Sequence, residues 1–362
     1  MGRLYFWNDF SICGHTNPRI KKLGDKHMKR IGKQTLEFST PPKIEAHGAI
    51  GGKKEAEGPL SADFDQTFQD TSLQTESWEK AEAQLQKEAV ALALAKAGVK
   101  PQEVDFIFAG DLLNQCISST FGLLDYNIPF LGQYGACSTM AQTLLMASVL
   151  VDCGAANRAA AVTSSHFCSA ERQFRTPLEY GAQRTPTAQW TATAAGCALV
   201  GQRGAVEVRR GLAGKIVDLG VKDPANMGAA MAPAAADSIF QFLQDTGTKP
   251  EDYDCIYTGD LGQVGTDLLY RTLQENGLDI SSRHQDCGLL LFDREKQDVH
   301  AGGSGCGCSA SVLCGHILNR MEAGGLKNIL FCATGALMSP TSSQQGESIP
   351  GVCHILHLKR GA

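Results

Sequence analysis

Gly135-Ala136-Cys137-Ser138-Thr139, with the apolar run that follows it to Gly154, is the stretch on which the fold turns. Two small residues lead into a cysteine, and a Ser/Thr pair stands where a helix can be capped. Beyond it, Met140, Leu144, Ala147 and Val151 recur at helical spacing along one face. Cys137 is therefore expected at the start of a buried helix, where unsatisfied backbone N–H groups favour a thiolate and attract anions. The competing reading is a buried structural cysteine, since free cysteines are among the most buried residues.

Upstream, Ser77 can cap a helix on which Trp78, Ala81, Leu85, Ala89 and Leu92 share a face, ending near Gly98. Val104–Ala109 then reads as a buried strand stopping at Gly110-Asp111. Shifted by 149 positions, this segment returns. Gly98, Lys100, Pro101, Asp105, Ile107, Gly110, Asp111 and Leu112 become Gly247, Lys249, Pro250, Asp254, Ile256, Gly259, Asp260 and Leu261. A second block returns at a shift of 171, where Cys137, Ser138, Gly154, Asn157 and Thr163 match Cys308, Ser309, Gly325, Asn328 and Thr334. The difference of 22 residues places an insertion in the second copy, around Leu278–Gly303.

This is an internal duplication. Each copy reads helix, strand ending in Gly-Asp, loop, strand, Cys-Ser helix, strand. The later strands are Arg158–Val162 and Gly196–Val200, with partners Ile329–Ala333 and Val352–Leu358. Alternating helices and short apolar strands mean α/β layers, and a repeat this long is no solenoid unit. The halves divide at 28–205 and 206–362. Residues 33–76 read as short strands and loops. Residues 1–27 read as an extension or an upstream start, expected to be poorly ordered, with Met28 the more natural beginning.

The 362 residues are 43% hydrophobic and 20% charged, with a net charge of −5, which gives no basic surface for nucleic acid. The 13 cysteines are scattered and form no C-x-x-C pair, so no zinc site is expected and the thiols read as reduced. No apolar run approaches the ~20 residues of a membrane span, and the N-terminus does not make a signal peptide.

Two duplicated α/β halves with a cysteine opening the first half's central helix resemble the thiolase fold, a layered αβαβα arrangement. Narrower motifs are Ala109-Gly110-Asp111-Leu112-Leu113-Asn114-Gln115, Thr163-Ser164-Ser165-His166 and Ala170-Glu171-Arg172-Gln173-Phe174-Arg175. With them go Met231-Ala232-Pro233-Ala234-Ala235-Ala236-Asp237 and Ala301-Gly302-Gly303-Ser304-Gly305-Cys306. From about Met28 to the C-terminus the chain is similar to the stage V sporulation protein AD family, thiolase-like proteins of spore-forming bacteria. The resemblance implies binding of dipicolinic acid (pyridine-2,6-dicarboxylate) for uptake into the developing spore. It also implies a homodimer, and a soluble or peripheral place at the inner spore membrane beside other stage V sporulation A proteins.

In the related synthases and thiolases the cysteine accepts an acyl group, and histidines of the second half supply the base and the oxyanion site. At the matching places this chain has Gly259-Asp260-Leu261-Gly262 and Gly303-Ser304-Gly305-Cys306-Gly307, with no histidine in either. His284, His300 and His316 remain elsewhere in that half. The departure points to a binding protein on an enzyme's scaffold. An active Cys137-dependent acyltransferase or ketoacyl synthase is the alternative.

A flat dicarboxylate needs forked cations or clustered N–H donors and an apolar slot for its ring. The candidate ligand-binding residues are Cys137, Asp111, Asn114, His166, Arg172, Arg175 and Ser304. Arg172 and Arg175 contact the ligand or pair with Glu171 or Glu179. His166 donates to a carboxylate or is held by backbone. Asp111 orients an arginine, or helps hold calcium carried in with the ligand, or like its twin Asp260 only caps a turn. Ser304 and its neighbouring glycines allow close backbone approach or form only a tight turn. No cofactor and no resident metal are expected.

Overall fold

The computed structural model describes residues 28–174 and 184–361. The extension read at 1–27 and the candidate Arg175 lie outside the described residues. The first half contributes strands β1 (Lys43–Gly51), β2 (Phe106–Gly110), β3 (Phe130–Gly132), β4 (Ala159–Ser165) and β5 (Ala194–Gly201). The second contributes β6 (Val206–Leu212), β7 (Cys255–Thr258), β8 (His284–Asp286), β9 (Asn328–Ala336) and β10 (Gly351–Arg360). They join in the order β8-β7-β9-β10-β6-β1-β5-β4-β2-β3. Read outward from the β6/β1 junction, both halves follow the same path. Each has two antiparallel pairings and then two parallel ones. Val206↔Ile44 and Glu207↔Lys43 stitch the halves together along the sheet, and Thr35–Glu37 of the first half pairs with Arg210–Leu212 of the second.

Local signals act twice, as the repeat requires. Helix α1 (Trp78–Ala97) starts on Ser77, whose hydroxyl accepts from Lys80 N, and ends on Gly98 at φ +63°. Its counterpart in the second half, Met227–Thr246, ends on Gly247 at the same φ. Only a residue without a Cβ adopts that left-handed cap freely. Asp105 Oδ2 accepts from the N–H groups of Asn157 and Arg158, and its twin Asp254 does the same for Lys327 and Asn328. Each aspartate thereby locks the entry of one parallel strand against the next.

Five layers result. Helix α1 covers the outer face of the first half's strands, with Leu85, Ala89, Val90 and Ala93 fully buried against Ile107, Val162 and Leu199. Helix α2 (Thr139–Asp152) lies between the halves and packs on strands of both. Met140, Leu144, Ala147 and Val151, its apolar stripe, are all buried in the central core. A short helix α3 (Phe167–Phe174) follows β4, and α4 (Met227–Thr246) with α5 (Gly262–Glu275) covers the second half's outer face. The second Cys-Ser helix opens as α6 (Cys306–Ser311) and packs on β4 and β5.

Two details differ from the sequence reading. Residues 33–76 contain a nine-residue strand at the centre of the sheet, β1, because Lys43–Gly51 alternates too weakly to announce itself. The longer second copy does not insert the whole of Leu278–Gly303. Strand β8 occupies the position of β3, and the added chain is the stretch after it, which holds a helix at Cys287–Leu291 and a short strand at Gly303–Ser304. That short strand pairs in parallel with Trp190–Thr191 and carries Ser304 across to the first half.

Candidate functional site

The expected cap does not form. Ser138 sits in helical backbone with its hydroxyl donating to Gly135 O at 2.6 Å, and Thr139 Oγ1 donates to Ala136 O at 2.6 Å while accepting from Gly135 N. The hydroxyls tie the loop into a knot ahead of α2 and leave the helix N-terminus to other partners. Ala136 takes φ +50°, a left-handed conformation that costs a residue with a Cβ about 1 kcal/mol. From the second half, β9 approaches so closely at Gly335 that a Cβ there would stand 2.2 Å from Gly135 O. The cysteine is thus presented on a strained turn clamped by both halves.

Cys137 is 4% exposed. Its thiol lies 3.8 Å from Ser304 Oγ, and Asp260 stands behind that hydroxyl. Asp260 Oδ2 accepts from Ser304 Oγ at 3.1 Å and Gly305 N at 2.9 Å, and Oδ1 accepts from Thr334 Oγ1 at 2.9 Å. Gly305 offers its N–H from φ +102°, where a side chain would be strained. Burial pushes the Cys137 thiol well up, and the Asp260 charge pushes it further. Of the two readings of Cys137, this direction favours the buried cysteine over the activated thiolate. The helix field is outweighed by the loss of water and by a carboxylate, so the sulfur keeps its proton.

Asp260 itself is carried by a second carboxylate. Asp286 accepts from Thr258 Oγ1, Leu261 N, Gly262 N and Leu289 N, fixing the turn that follows β7. Thr258 Oγ1 also meets His284 Nε2, whose Nδ1 meets Tyr270 OH, so His284 is consumed by a buried chain away from the sulfur. His300 pairs with Asp298, and His316 with Asp63. His47, His354 and His357 also take partners elsewhere, so among the described residues no imidazole contacts Cys137.

A narrow pocket of about 50 Å³ opens above the thiol. Leu112, Phe174, Met227 and Met338 give it apolar walls, and Cys137, Ser304, Thr191 and Gln189 its polar floor. Cys137 and Ser304, two of the sequence candidates, come together here. The others do not. Asn114 and Arg172 line a separate cleft of about 350 Å³, where Arg172 is paired with Glu79. His166 is fully buried, stacked on Trp78, with Nε2 donating to Thr71 O and Nδ1 accepting from Cys168 N, so neither nitrogen is left for a ligand. Asp111 accepts from Leu113 N and from both the N–H and the hydroxyl of Ser119, which makes it a turn anchor. Sequence reasoning gave Asp260 the same duty and missed its place beside the sulfur. It also missed Gln189, for which no motif speaks.

Glu55 ties down the strand behind Thr191 by accepting from Thr193 N at 2.9 Å. Burial raises its carboxyl from 4.5 to about 7. A folded-state value above the unfolded one means that the native protein holds a proton that the unfolded chain has lost between those two pH values. Stability from this group therefore falls as pH rises from 4.5 to about 7. Glu55→Gln keeps the acceptor and cannot ionise. It should match the wild type near pH 4.5 and become more stable by about 3 kcal/mol above pH 7. Denaturant melts across that range check this, and a gap that does not grow contradicts it.

Duplicated α/β halves in one five-layered unit, with a cysteine ahead of the first central helix, define a thiolase-like protein. The fold matches 3-oxoacyl-[acyl-carrier-protein] synthase III of Aquifex aeolicus at a TM-score of 0.54, with 13% identity over 88% of this chain and 99% of that one. It matches a variant of Xanthomonas campestris OleA at 0.57, with 13% identity over 89% and 97%. Sequence narrows the class. The family model of stage V sporulation protein AD (SpoVAD) matches residues 32–359. The stage V sporulation protein AD of Bacillus subtilis is 45% identical over 334 residues, 92% of this chain and 98% of that protein. The chain belongs to the stage V sporulation protein AD family, and it is a sporulation protein on a thiolase-like scaffold.

Proposed function

We propose that this protein is a non-catalytic binding protein that takes dipicolinic acid in the pocket above Cys137 and hands it on for uptake into the developing spore. The observation that carries the reading is the company of the sulfur. A buried, protonated thiol faces a serine and an aspartate. Acyl transfer would ask for a thiolate, a base and an oxyanion site there. An acidic partner opposes both the thiolate and a developing oxyanion. The slot between Leu112, Phe174, Met227 and Met338 suits a flat ring. Family membership supports the ligand's identity.

The protein would act at the inner membrane of the developing spore with other stage V sporulation A proteins. Among the described residues no helix is long and apolar enough to cross a membrane. A homodimer through the first half's sheet edge is part of the same reading. Strand β3 ends the sheet with its residues exposed, Leu131 among them, and Phe121, Leu124 and Tyr134 are exposed nearby in the chain. The test is a calorimetric titration with pyridine-2,6-dicarboxylate, with and without calcium. Saturable heat with dipicolinate and none with benzoate is the expected result. No heat under either condition overturns the reading.

A further inference from the structure

Gln189 is 7% exposed and forms part of the pocket wall. Its Nε2 donates to two main-chain carbonyls, Asp260 O at 2.8 Å and Gly303 O at 2.7 Å. Those contacts fix the amide, because the reverse orientation would set an oxygen against two oxygens. The other end, Oε1, is therefore an acceptor only, and it is buried without a partner. Buried acceptors in folded proteins are nearly always met, and one left open beside a pocket asks for a donor from whatever fills it.

Ser304 repeats the request, and no described cation answers a carboxylate. Among the described residues no lysine or arginine lines the pocket. Ser304 spends its proton on Asp260 and has only lone pairs to turn towards a guest. The titratable groups around the space are Glu171 on α3, Tyr134 and Cys137 from the loop before α2, and Cys306 and Asp260 from the second half, with Asp111 near Tyr134. Burial raises the carboxyls of Asp111 and Asp260 as it raises the thiols of Cys137 and Cys306, so the buried groups behind the pocket are pushed towards their protonated forms. A dianion is poorly received in such a place.

We propose that Gln189 selects the protonated form of the ligand: dipicolinic acid is bound carrying one carboxylic O–H, which donates to Gln189 Oε1. This rests on the reading of the pocket as the dipicolinate site and adds the form in which the ligand is held. At neutral pH the free ligand is the dianion, so binding takes one proton from the solvent and forms the O–H bond of the acid. Release into water returns that proton. Affinity then depends on pH through the ligand, and Gln189 distinguishes acids and amides from fully ionised carboxylates.

The experiment is calorimetry on the full chain with pyridine-2,6-dicarboxylate and with its monoamide, 6-carbamoylpyridine-2-carboxylate, whose N–H donor does not titrate. Both are titrated between about pH 6 and 8, in two buffers of unlike ionisation heat. Dipicolinate should bind about tenfold more weakly for each unit of pH and take up one proton per site. The monoamide should bind equally well across the range. Gln189→Met should weaken the monoamide by about tenfold and dipicolinate with it. Because that change also strips two carbonyls of their donor and can unsettle the fold, the comparison of the two ligands on the wild type decides independently. Dipicolinate binding that ignores pH and takes up no proton overturns the inference and leaves the binding reading standing, with Gln189 served by water. Absence of heat with both ligands removes the binding reading itself, and the inference with it.

Discussion

Asp260→Ala should cost the protein about 4 kcal/mol of stability, the loss typical of breaking a buried charged network from one side. The carboxylate is fully buried and collects the Ser304 hydroxyl, the Gly305 N–H and the Thr334 hydroxyl. Alanine leaves all three without an acceptor in a place that water does not reach. These contacts join β7, the Ser304 turn and β9, so the damage falls where the two halves meet above Cys137. Asp260→Asn keeps one acceptor but turns an N–H₂ towards donors, and should fall between alanine and wild type. In alanine the Cys137 thiol also loses the charge that opposes its ionisation, so alkylation at a fixed alkaline pH should speed up. Burial, the larger cause, remains. Denaturant melts and the alkylation rate measure the two effects. An alanine variant as stable as the wild type would mean that the network holds nothing.

Cys137→Trp should abolish dipicolinate binding, by at least about a hundredfold in affinity. The thiol forms the floor of a pocket of about 50 Å³, packed beside Leu112, Ala170 and Cys306. An indole can grow only upward, into the space the ring of the ligand would take, since the core below is close-packed. Cys137→Ala opens the slot by one sulfur and asks for no nucleophile, so it should retain affinity to within about tenfold. The pair separates filling a site from removing a reactive group. Calorimetry that finds tryptophan harmless places the ligand elsewhere. Calorimetry that finds alanine as damaging as tryptophan would give the sulfur a chemical role.

What the sequence disclosed was whatever the duplication states twice. Gly98 and Gly247 close equivalent helices, Asp105 and Asp254 lock equivalent strand entries, and Ser77 caps where its type and place suggest. These effects reach only a few residues along the chain or one strand across, so residue type and spacing carry them. The site is another matter. Cys137 meets Ser304 across 167 positions, and Gln189 meets Gly303 across 114. Such contacts belong to the interface between the copies, on which an internal repeat is silent. It even misleads. Asp111 and Asp260 are the same residue of the repeat, yet one anchors a turn within its own half while the other collects donors from beyond β7 and stands against the sulfur. The hydroxyls of Ser138 and Thr139 had the right chemistry for a cap, but the backbone turned them towards Gly135 and Ala136. For His166 residue type left a ligand and the backbone as alternatives, and main chain claims both nitrogens.

The measurement that bears most directly on the whole account is the intact mass of the protein after incubation with acyl-CoA thioesters of short and long chain at mildly alkaline pH. With the Cys137 proton held in place by burial and by Asp260, the mass should stay that of the unmodified chain at every acyl length. A stoichiometric acyl adduct that maps to Cys137 would contradict it, and would return this scaffold to the transferases it resembles.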